Sequence, residues 1–183
     1  MTPYIDLNCD MGESYGAWTM GADAEVMPWV TSVNIACGFH AGDPVTMRKT
    51  VTAAAQAGVA IGAHVALPDL AGFGRRAMAV SAGEVHAMTV VQVGALIAMA
   101  RTVDARVDHV KPHGALYHMA EQQPDIADAL IDAIAAVDRS LRVVGLAGGE
   151  LVGAAEEAGM RASNEAFIDR RYRHDGGLVP RGE

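Results

Sequence analysis

The sequence contains little cysteine, few aromatic residues and no cluster of basic residues. Its two cysteines, Cys9 and Cys37, are too few for a disulfide framework and lack the paired spacing of a zinc knuckle. Lysine and arginine together number 14 against 22 acidic residues, which gives a net charge of −8 with neutral histidine. The one short basic stretch, Arg170, Arg171 and Arg173, is flanked by aspartates. Nucleic acid is therefore not an expected partner, because phosphate binding requires a clustered positive field.

Signals for secretion and for membrane insertion are also missing. The first ten residues, MTPYIDLNCD, lack a basic region followed by an apolar stretch, so we expect no signal peptide. No window approaches the roughly 18 to 20 consecutive apolar residues that cross a bilayer. We therefore expect a cytoplasmic protein with no membrane partner, and the sequence leaves association into a homo-oligomer open.

Small apolar residues are abundant instead. Hydrophobic residues make up 51% of the 183 residues, while aromatic residues make up only 5%. This composition is typical of closely packed β-α units with buried, valine-rich strands. The length predicts one core, and so a single domain over residues 1–183.

Short strand-like runs alternate with helical segments along the chain. Strands are predicted at residues 4–9, 32–36, 59–63, 107–111, 141–146 and 165–168. Asp43-Pro44 indicates a helix start and Gly58 its end, while Ser81 and Glu84 form a capping-box pattern that opens a helix reaching about residue 103. Two more helices are predicted at residues 124–137 and 149–158.

This alternation predicts a mostly parallel sheet, either doubly wound or rolled into a barrel. Polar residues follow nearly every strand, namely Asp10, His40, His64, His113 and Asp169. In barrels the carboxyl ends of the strands carry the chemistry, so this distribution favours an α/β barrel. An eight-unit barrel needs about 250 residues, whereas this chain supplies about six units. Either the barrel is incomplete and distorted, or the chain is truncated, or another subunit covers the opening.

The motif IDLNCDMGE, residues 5–13, holds the first group of candidate site residues. Asp6, Asn8 and Asp10 lie on one face of a strand because side chains alternate along it, and Glu13 follows the turn at Gly12. Burying carboxylates is costly unless they line a site, so we interpret this face as functional rather than as an exposed sheet face.

Three further motifs add imidazoles and cations. NIACGFHAGD supplies Asn34 and His40, and its Asp43 is assigned to helix capping. GAHVALPDLAGFGRR supplies His64 and a pair of arginines, of which Arg75 is the candidate ligand for a carboxylate.

HVKPHGALYHM supplies Lys111, His113 and Tyr117, and we treat His109 and His118 as peripheral. A lysine so close to the core indicates an anionic partner or a shifted pKa.

Two weaker motifs complete the set. GLAGGE, residues 145–150, exposes backbone N–H groups before a helix and could receive an anion, but it lacks the lysine of a phosphate-binding loop. EAFIDRRY, residues 165–172, places Glu165, Asp169 and Arg170 around the end of the last strand.

The strings IDLNCDMGESYGAW, NIACGFHAGDP, GFGRR, HVKPHGALY and EAFIDRRY together resemble the LamB/YcsF family, the A subunits of 5-oxoprolinase, in order and over nearly the whole chain. The resemblance implies ATP-dependent opening of 5-oxoproline to glutamate, with ATP as co-substrate and subunits B and C as partners. It also implies an irregular (β/α) barrel similar to those of the glycoside hydrolase/deacetylase superfamily, which can have seven units, and we expect the C-terminal part of such a barrel to be missing from this chain.

Roles for the candidate residues follow as a hypothesis. Asp10 or Glu13 acts as general base, and His40 and His64 polarise the reacting carbonyl, while Lys111 and His113 stabilise the negative charge. The remaining candidates bind substrate: Asn8, Asn34, Arg75, Tyr117, Asp169 and Arg170.

Two alternatives stay open. A metal-dependent deacetylase or amidohydrolase, acting on a carbohydrate or a lactam, would use Asp10, His40 and His64 as metal ligands. We expect no obligatory metal. The chain could instead be a non-catalytic, substrate-binding subunit whose partner performs the ATP chemistry.

Overall fold

The computed structural model describes residues 5–174 and 176–179, which form one parallel sheet with helices between the strands. The strands are β1 (Asn8–Met11), β2 (Ser32–Ala36), β3 (Ala60–Val65), β4 (Val107–Pro112), β5 (Arg142–Leu146) and β6 (Arg161–Glu165). The helices are α1 (Asp23–Val26), α2 (Pro44–Ala57), α3 (Ala82–Arg101), α4 (Gly114–Ala120), α5 (Pro124–Asp138) and α6 (Glu150–Glu157), and a 3-10 turn spans Met27–Trp29.

The strand order is sequential. Each strand pairs in parallel with the next, giving β1-β2-β3-β4-β5-β6, whereas a doubly wound sheet would reverse its order at a switch point. The sheet curls into a half-barrel, since Lys111 of β4 contacts both Asp10 of β1 and Glu165 of β6. The predicted barrel-type α/β fold is confirmed, and a seventh unit stays a prediction.

The helix boundaries follow the capping signals in the sequence. The Asp43 carboxylate accepts hydrogen bonds from the backbone N–H groups of Val45, at 2.9 Å, and Thr46, at 3.2 Å. Ser81 and Glu84 bond each other's backbone N–H groups, as the capping box predicts. Each cap satisfies N–H groups that the first helical turn leaves without a partner.

The first and last strands differ from their predicted positions. The predicted strand at residues 4–9 begins instead at Asn8, and residue 4 lies outside the described residues. The last strand is Arg161–Glu165 rather than residues 165–168, and Ile168 is 94% exposed. Its sequence, RASNE, carries no apolar alternation, because its inward face is polar and its outer face is only partly covered. Helices α1 and α4 were not predicted.

The apolar core lies between the convex face of the sheet and the helices. Val33, Ile35, Val65, Val110 and Val143 point outward from four successive strands and are fully buried there. The concave face carries mostly polar side chains, and the candidate site lies on this face.

Helix α3 contributes to the same core. Its Val85, Val93 and Leu96 side chains are fully buried. By length and composition alone this helix is also apolar enough to cross a membrane.

Candidate active site on the concave face of the half-barrel

Side chains from β1 and β2 form a hydrogen-bonded polar ladder. The Asn34 amide donates to Asp10 Oδ1 at 2.7 Å, and the Asn8 amide donates to Ser32 Oγ at 2.7 Å. Ser32 in turn donates to Asp6 Oδ2 at 2.7 Å. Asp6, Asn8 and Asp10 therefore share one face, as their spacing predicted.

His109 extends this ladder onto β4. It is 5% exposed, and its Nε2 lies 2.8 Å from Asn34 Oδ1. Burial lowers the pKa of His109 to about 4, so the ring is neutral near pH 7 and donates through Nε2. The prediction that His109 is peripheral is wrong. The ring lies over Gly62 of β3, which leaves room for an inward imidazole, and no pattern local to β4 reveals that space.

Asp10, His64 and Lys111 form the charged centre of the site. His64 Nε2 lies 3.3 Å from Asp10 Oδ2, and Lys111 Nζ lies 3.5 Å from Asp10 Oδ1. Burial opposes ionisation of Asp10, but the neighbouring His64 and Lys111 hold its pKa well below the usual range. Burial would likewise lower the pKa of His64, but the Asp10 carboxylate raises it. Asp10 is therefore a carboxylate held between two cationic partners.

Lys111 also binds Glu165 on the last strand. Its Nζ lies 2.9 Å from Glu165 Oε2 and 5.1 Å from the centroid of the Phe167 ring. Burial would lower the pKa of Lys111, but the Asp10 and Glu165 carboxylates raise it, so the lysine is charged. The sequence placed Glu165 near the last strand but not among the predicted site residues, because only the curl of the sheet brings it to Lys111.

Tyr117, at the start of helix α4, points toward the same region. Its hydroxyl is buried and has no hydrogen-bond partner among the described residues, and the same holds for Glu165 Oε1. Burial and then the nearby Glu165 carboxylate raise the pKa of Tyr117, so its hydroxyl keeps its proton. Tyr117 and Glu165 therefore interact with each other beside Lys111.

Three imidazoles and Glu13 form a second, adjoining cluster. The His40 and His113 rings stack with centroids 3.9 Å apart, and the His64 ring meets them edge-on. Glu13 Oε1 lies 3.5 Å from His40 Nε2 and 3.9 Å from His113 Nδ1. Burial lowers the pKa of both His40 and His113 to about 3 and raises the pKa of Glu13.

The loop at residues 69–76 covers this cluster. Phe73 packs edge-on against His40 and His113, and its carbonyl oxygen lies 2.8 Å from His113 Nε2. Arg75 is exposed, and its guanidinium lies 5.1 Å from the Phe73 ring centroid. Arg75 is thus near the mouth of the site, where it could meet an anionic substrate.

Two predicted substrate-binding residues follow strand β6. Asp169 is exposed beyond β6, and Arg170 donates to the Val179 carbonyl at 2.6 Å.

The GLAGGE turn is not open to an added anion. A Cβ on Gly149 would lie 1.9 Å from Glu121 Oε2, so this carboxylate of the protein fills the space at the turn.

One part of the site has the donors of a metal centre. One ligand atom from each of Glu13, His40, His64 and His113 lies within 4.8 Å of the others. This set shares His40 and His64 with the predicted alternative ligands but replaces Asp10 by Glu13 and His113. The arrangement as a whole offers a carboxylate base, a buried cation and clustered imidazoles at the carboxyl ends of parallel strands.

Comparison with known proteins identifies the family. The sequence profile of the LamB/YcsF family matches residues 5–183. The chain is 57% identical over 183 residues to the 5-oxoprolinase A subunit of Bordetella pertussis, covering 100% of this chain and 73% of that protein. It is 52% identical over 179 residues to the 5-oxoprolinase A subunit of Bacillus subtilis, covering 98% of this chain and 70% of that protein. The crystal structure of a lactam utilization protein from Thermus thermophilus superposes with a TM-score of 0.93 at 47% identity, covering 97% of this chain and 72% of that one. The chain belongs to the LamB/YcsF family.

Proposed function

We propose that this chain is the A subunit of a 5-oxoprolinase, which opens 5-oxo-L-proline to L-glutamate in the cytoplasm with hydrolysis of ATP and acts with subunits B and C. The names of its relatives support this assignment. The observation that carries it is the charged centre at the carboxyl ends of three strands, where the partly exposed Asp10 contacts the buried His64 and Lys111.

The chemistry explains why ATP is needed. Amide resonance makes a lactam carbonyl a poor electrophile. Transfer of the γ-phosphoryl group of ATP to the lactam oxygen would convert that oxygen into a phosphate leaving group. Attack of water on the ring carbon and departure of the protonated ring nitrogen would open the C–N bond and leave an acyl phosphate. A second water would then hydrolyse this acyl phosphate to glutamate and inorganic phosphate.

Asp10 is the better placed of the two candidate bases. Its side chain is 37% exposed, so it can reach a substrate water, whereas Glu13 Oε1 is buried among imidazoles. His40 and His64 would orient and polarise the carbonyl, and Lys111 with His113 would stabilise the negative charge that develops on it.

The substrate carboxylate would bind at the mouth of the site. Arg75 is exposed there, whereas Arg170 is already bonded to a backbone carbonyl. A guanidinium can hold a carboxylate through two hydrogen bonds. Asn8, Asn34 and Tyr117 would line the floor of the pocket, and Asp169 would lie at its edge.

A division of labour among subunits is the second candidate. Glu121 fills the one glycine-rich turn that the sequence suggested as an anion receptor, and this favours an ATP site on a partner protein. In that arrangement this chain would bind 5-oxoproline and supply the base.

The test is glutamate release from 5-oxoproline by this chain alone, by the chain with subunits B and C, and by the same mixture without ATP. We expect release only in the complete mixture. Release without ATP would favour the deacetylase or amidohydrolase alternative, and no release in any mixture would contradict the proposal.

Asp10→Asn tests the proposed base. We expect glutamate release to fall at least ~100-fold, since a positioned acid or base contributes about 10²–10⁴. Asp132→Asn, on the exposed face of α5, is the matched control and should leave the rate unchanged. Equal rates for Asp10→Asn and the wild-type protein would remove Asp10 from the mechanism.

A further inference from the structure

Two histidines in the site have their tautomers fixed by backbone carbonyls. His64 Nδ1 lies 2.9 Å from the Lys111 carbonyl oxygen, and His113 Nε2 lies 2.8 Å from that of Phe73. A carbonyl oxygen can only accept a hydrogen bond, so each of these nitrogens carries a proton and donates it. The other nitrogen of each ring, His64 Nε2 or His113 Nδ1, is therefore the one left to bind a cation, which for His64 is either a proton or a metal ion.

These two nitrogens face each other. His64 Nε2 and His113 Nδ1 are 3.0 Å apart in a site where both rings are at most 5% exposed. Two acceptors at this distance repel unless a cation lies between or beside them. A proton on His64 Nε2 would relieve this contact, but it would leave the rest of the cluster unexplained.

A proton on His64 would still leave buried polar atoms of Glu13 and His40 without hydrogen-bond partners within the described part of the chain. Glu13 Oε1 and both ring nitrogens of His40 are buried and have no hydrogen-bond partner in the part of the chain that the structure describes. His40 is 0% exposed, and Glu13 Oε1 lies 3.5 Å from His40 Nε2. A buried polar group without a partner is destabilising, because it has lost its hydrogen bonds to water and gained none in return. One positive centre shared by all four residues would satisfy a carboxylate oxygen and three nitrogens at once.

The spacing fits such a centre. Zinc binds histidine nitrogen at about 2.0–2.1 Å and carboxylate oxygen at about 2.0–2.2 Å, so neighbouring ligands in a tetrahedral site are roughly 3.4 Å apart. The three measured separations between donor atoms, 3.0 Å, 3.5 Å and 3.9 Å, bracket that value, and the four ligand atoms lie within 4.8 Å of one another.

We propose that Glu13, His40, His64 and His113 bind one divalent transition-metal ion of the zinc type. The carbonyl oxygens of Lys111 and Phe73 are the outer partners that orient such histidines. Phe73 covers the cluster with an apolar ring. The His40 ring, now stacked on His113, would tilt to bring Nε2 onto the ion.

Asp10 has a different place in this arrangement from the one the sequence suggested. Its carboxylate is bonded by Asn34 and paired with Lys111, so it lies beside the ion and not among its ligands. An ion held next to it could act as a Lewis acid toward a carbonyl oxygen. The proposal rests on the donor geometry, and with an ion bound the three histidines would act on the carbonyl through that ion rather than directly.

The test measures metal binding without substrate or ATP. The 183-residue chain is treated with a chelator, dialysed and titrated with Zn²⁺ and with Co²⁺, following bound metal and the visible absorption of Co²⁺. We expect one equivalent of metal and the intense visible bands of four-coordinate Co²⁺. No stoichiometric binding by the wild-type chain would overturn the proposal.

Three variants assign the ligands. His113→Ala and Glu13→Gln should each weaken binding at least ~10-fold, because loss of even an outer partner costs about 10–100-fold. His118→Ala, an exposed histidine outside the cluster, should bind as the wild type does. If His113→Ala does not fold, the near-isosteric Glu13→Gln decides, and binding by it as tight as wild type would contradict the proposal.

Discussion

Lys111 is held between carboxylates from the two edge strands of the sheet. It is 6% exposed and pairs with Asp10 and Glu165 at the same time. An ammonium group buried to this extent needs compensation for the water that it loses. The Lys111–Glu165 contact therefore contributes to the stability of the fold as well as to the structure of the site.

Replacing one of these carboxylates by an amide should lower stability. We expect Glu165→Gln to reduce the free energy of unfolding by about 2 kcal/mol, since hydrogen bonds to charged groups contribute ~1.5–3 kcal/mol. Glu157→Gln, exposed at the end of α6, is the control and should change it by less than about 0.5 kcal/mol. Urea unfolding followed by circular dichroism measures both, and equal losses would show that the Lys111 contact is not the cause.

At the scale of single elements, strand β3 depends on a glycine. A Cβ built on Gly62 would lie 2.0 Å from His109 Nε2, so a side chain there forces the imidazole off Asn34. Gly62 is thus required by its neighbour on β4 and not by its own backbone.

Gly62→Ala should destabilise the protein by about 1–3 kcal/mol, the usual range for overpacking a filled interior. The matched control is Gly94→Ala in helix α3, where an added Cβ meets nothing within 4 Å. Alanine exceeds glycine in helix propensity by up to about 1 kcal/mol, so this control should be stabilising. Changes in the free energy of unfolding that have opposite signs for the two variants would support the contact. A Gly62→Ala protein as stable as wild type would contradict it.

The loop at residues 69–76 is held by one carboxylate. Asp69 accepts hydrogen bonds from the Gly72 backbone N–H at 2.9 Å and from Arg76 Nε at 2.9 Å. This contact fixes the loop whose Phe73 carbonyl orients His113.

The Asp69 contact should depend on pH. The hydrogen bond from Arg76 lowers the pKa of Asp69 to about 2, below the value of about 3.9 expected in the unfolded chain. A depressed folded-state pKa stabilises the protein above the unfolded value, and that contribution is lost as the pH falls toward 2. The Tm of Asp69→Asn should therefore lie below that of wild type at pH 6, and the gap should narrow on acidification. A gap that is constant from pH 6 to pH 3 would count against this role.

At the scale of the whole molecule, one apolar core joins the helices to the sheet. Buried residues from β2 to β5 and from helices α2 to α6 form a single connected cluster. The polar groups of the site lie on the concave face, so the core and the site occupy opposite sides of the same strands.

A single core predicts a single unfolding event. We expect one calorimetric transition, with equal calorimetric and van't Hoff enthalpies, because no part of the described chain has a separate core. The chain measured alone suffices for this test. Two separable transitions would show that residues 1–183 do not form one domain.

Local patterns in the sequence were enough for several features. The Asp43 cap, the Ser81–Glu84 capping box and the common face of Asp6, Asn8 and Asp10 depend on residues close in sequence, and each was predicted. The last strand was misplaced because RASNE has no apolar period.

The sequence by itself determined the alternation of strands and helices, the family, and which motifs end at the carboxyl edge of the sheet. Only the tertiary structure decided which of these groups meet. Lys111 Nζ and Asn8 Oδ1 are 103 positions apart in the chain and 3.5 Å apart in space. The parallel register and the curl of the sheet set the Lys111–Glu165 pair, the place of His109 and the facing ring nitrogens of His64 and His113. None of these contacts can be predicted from the spacing of residues within one strand or helix, because each joins side chains from different strands.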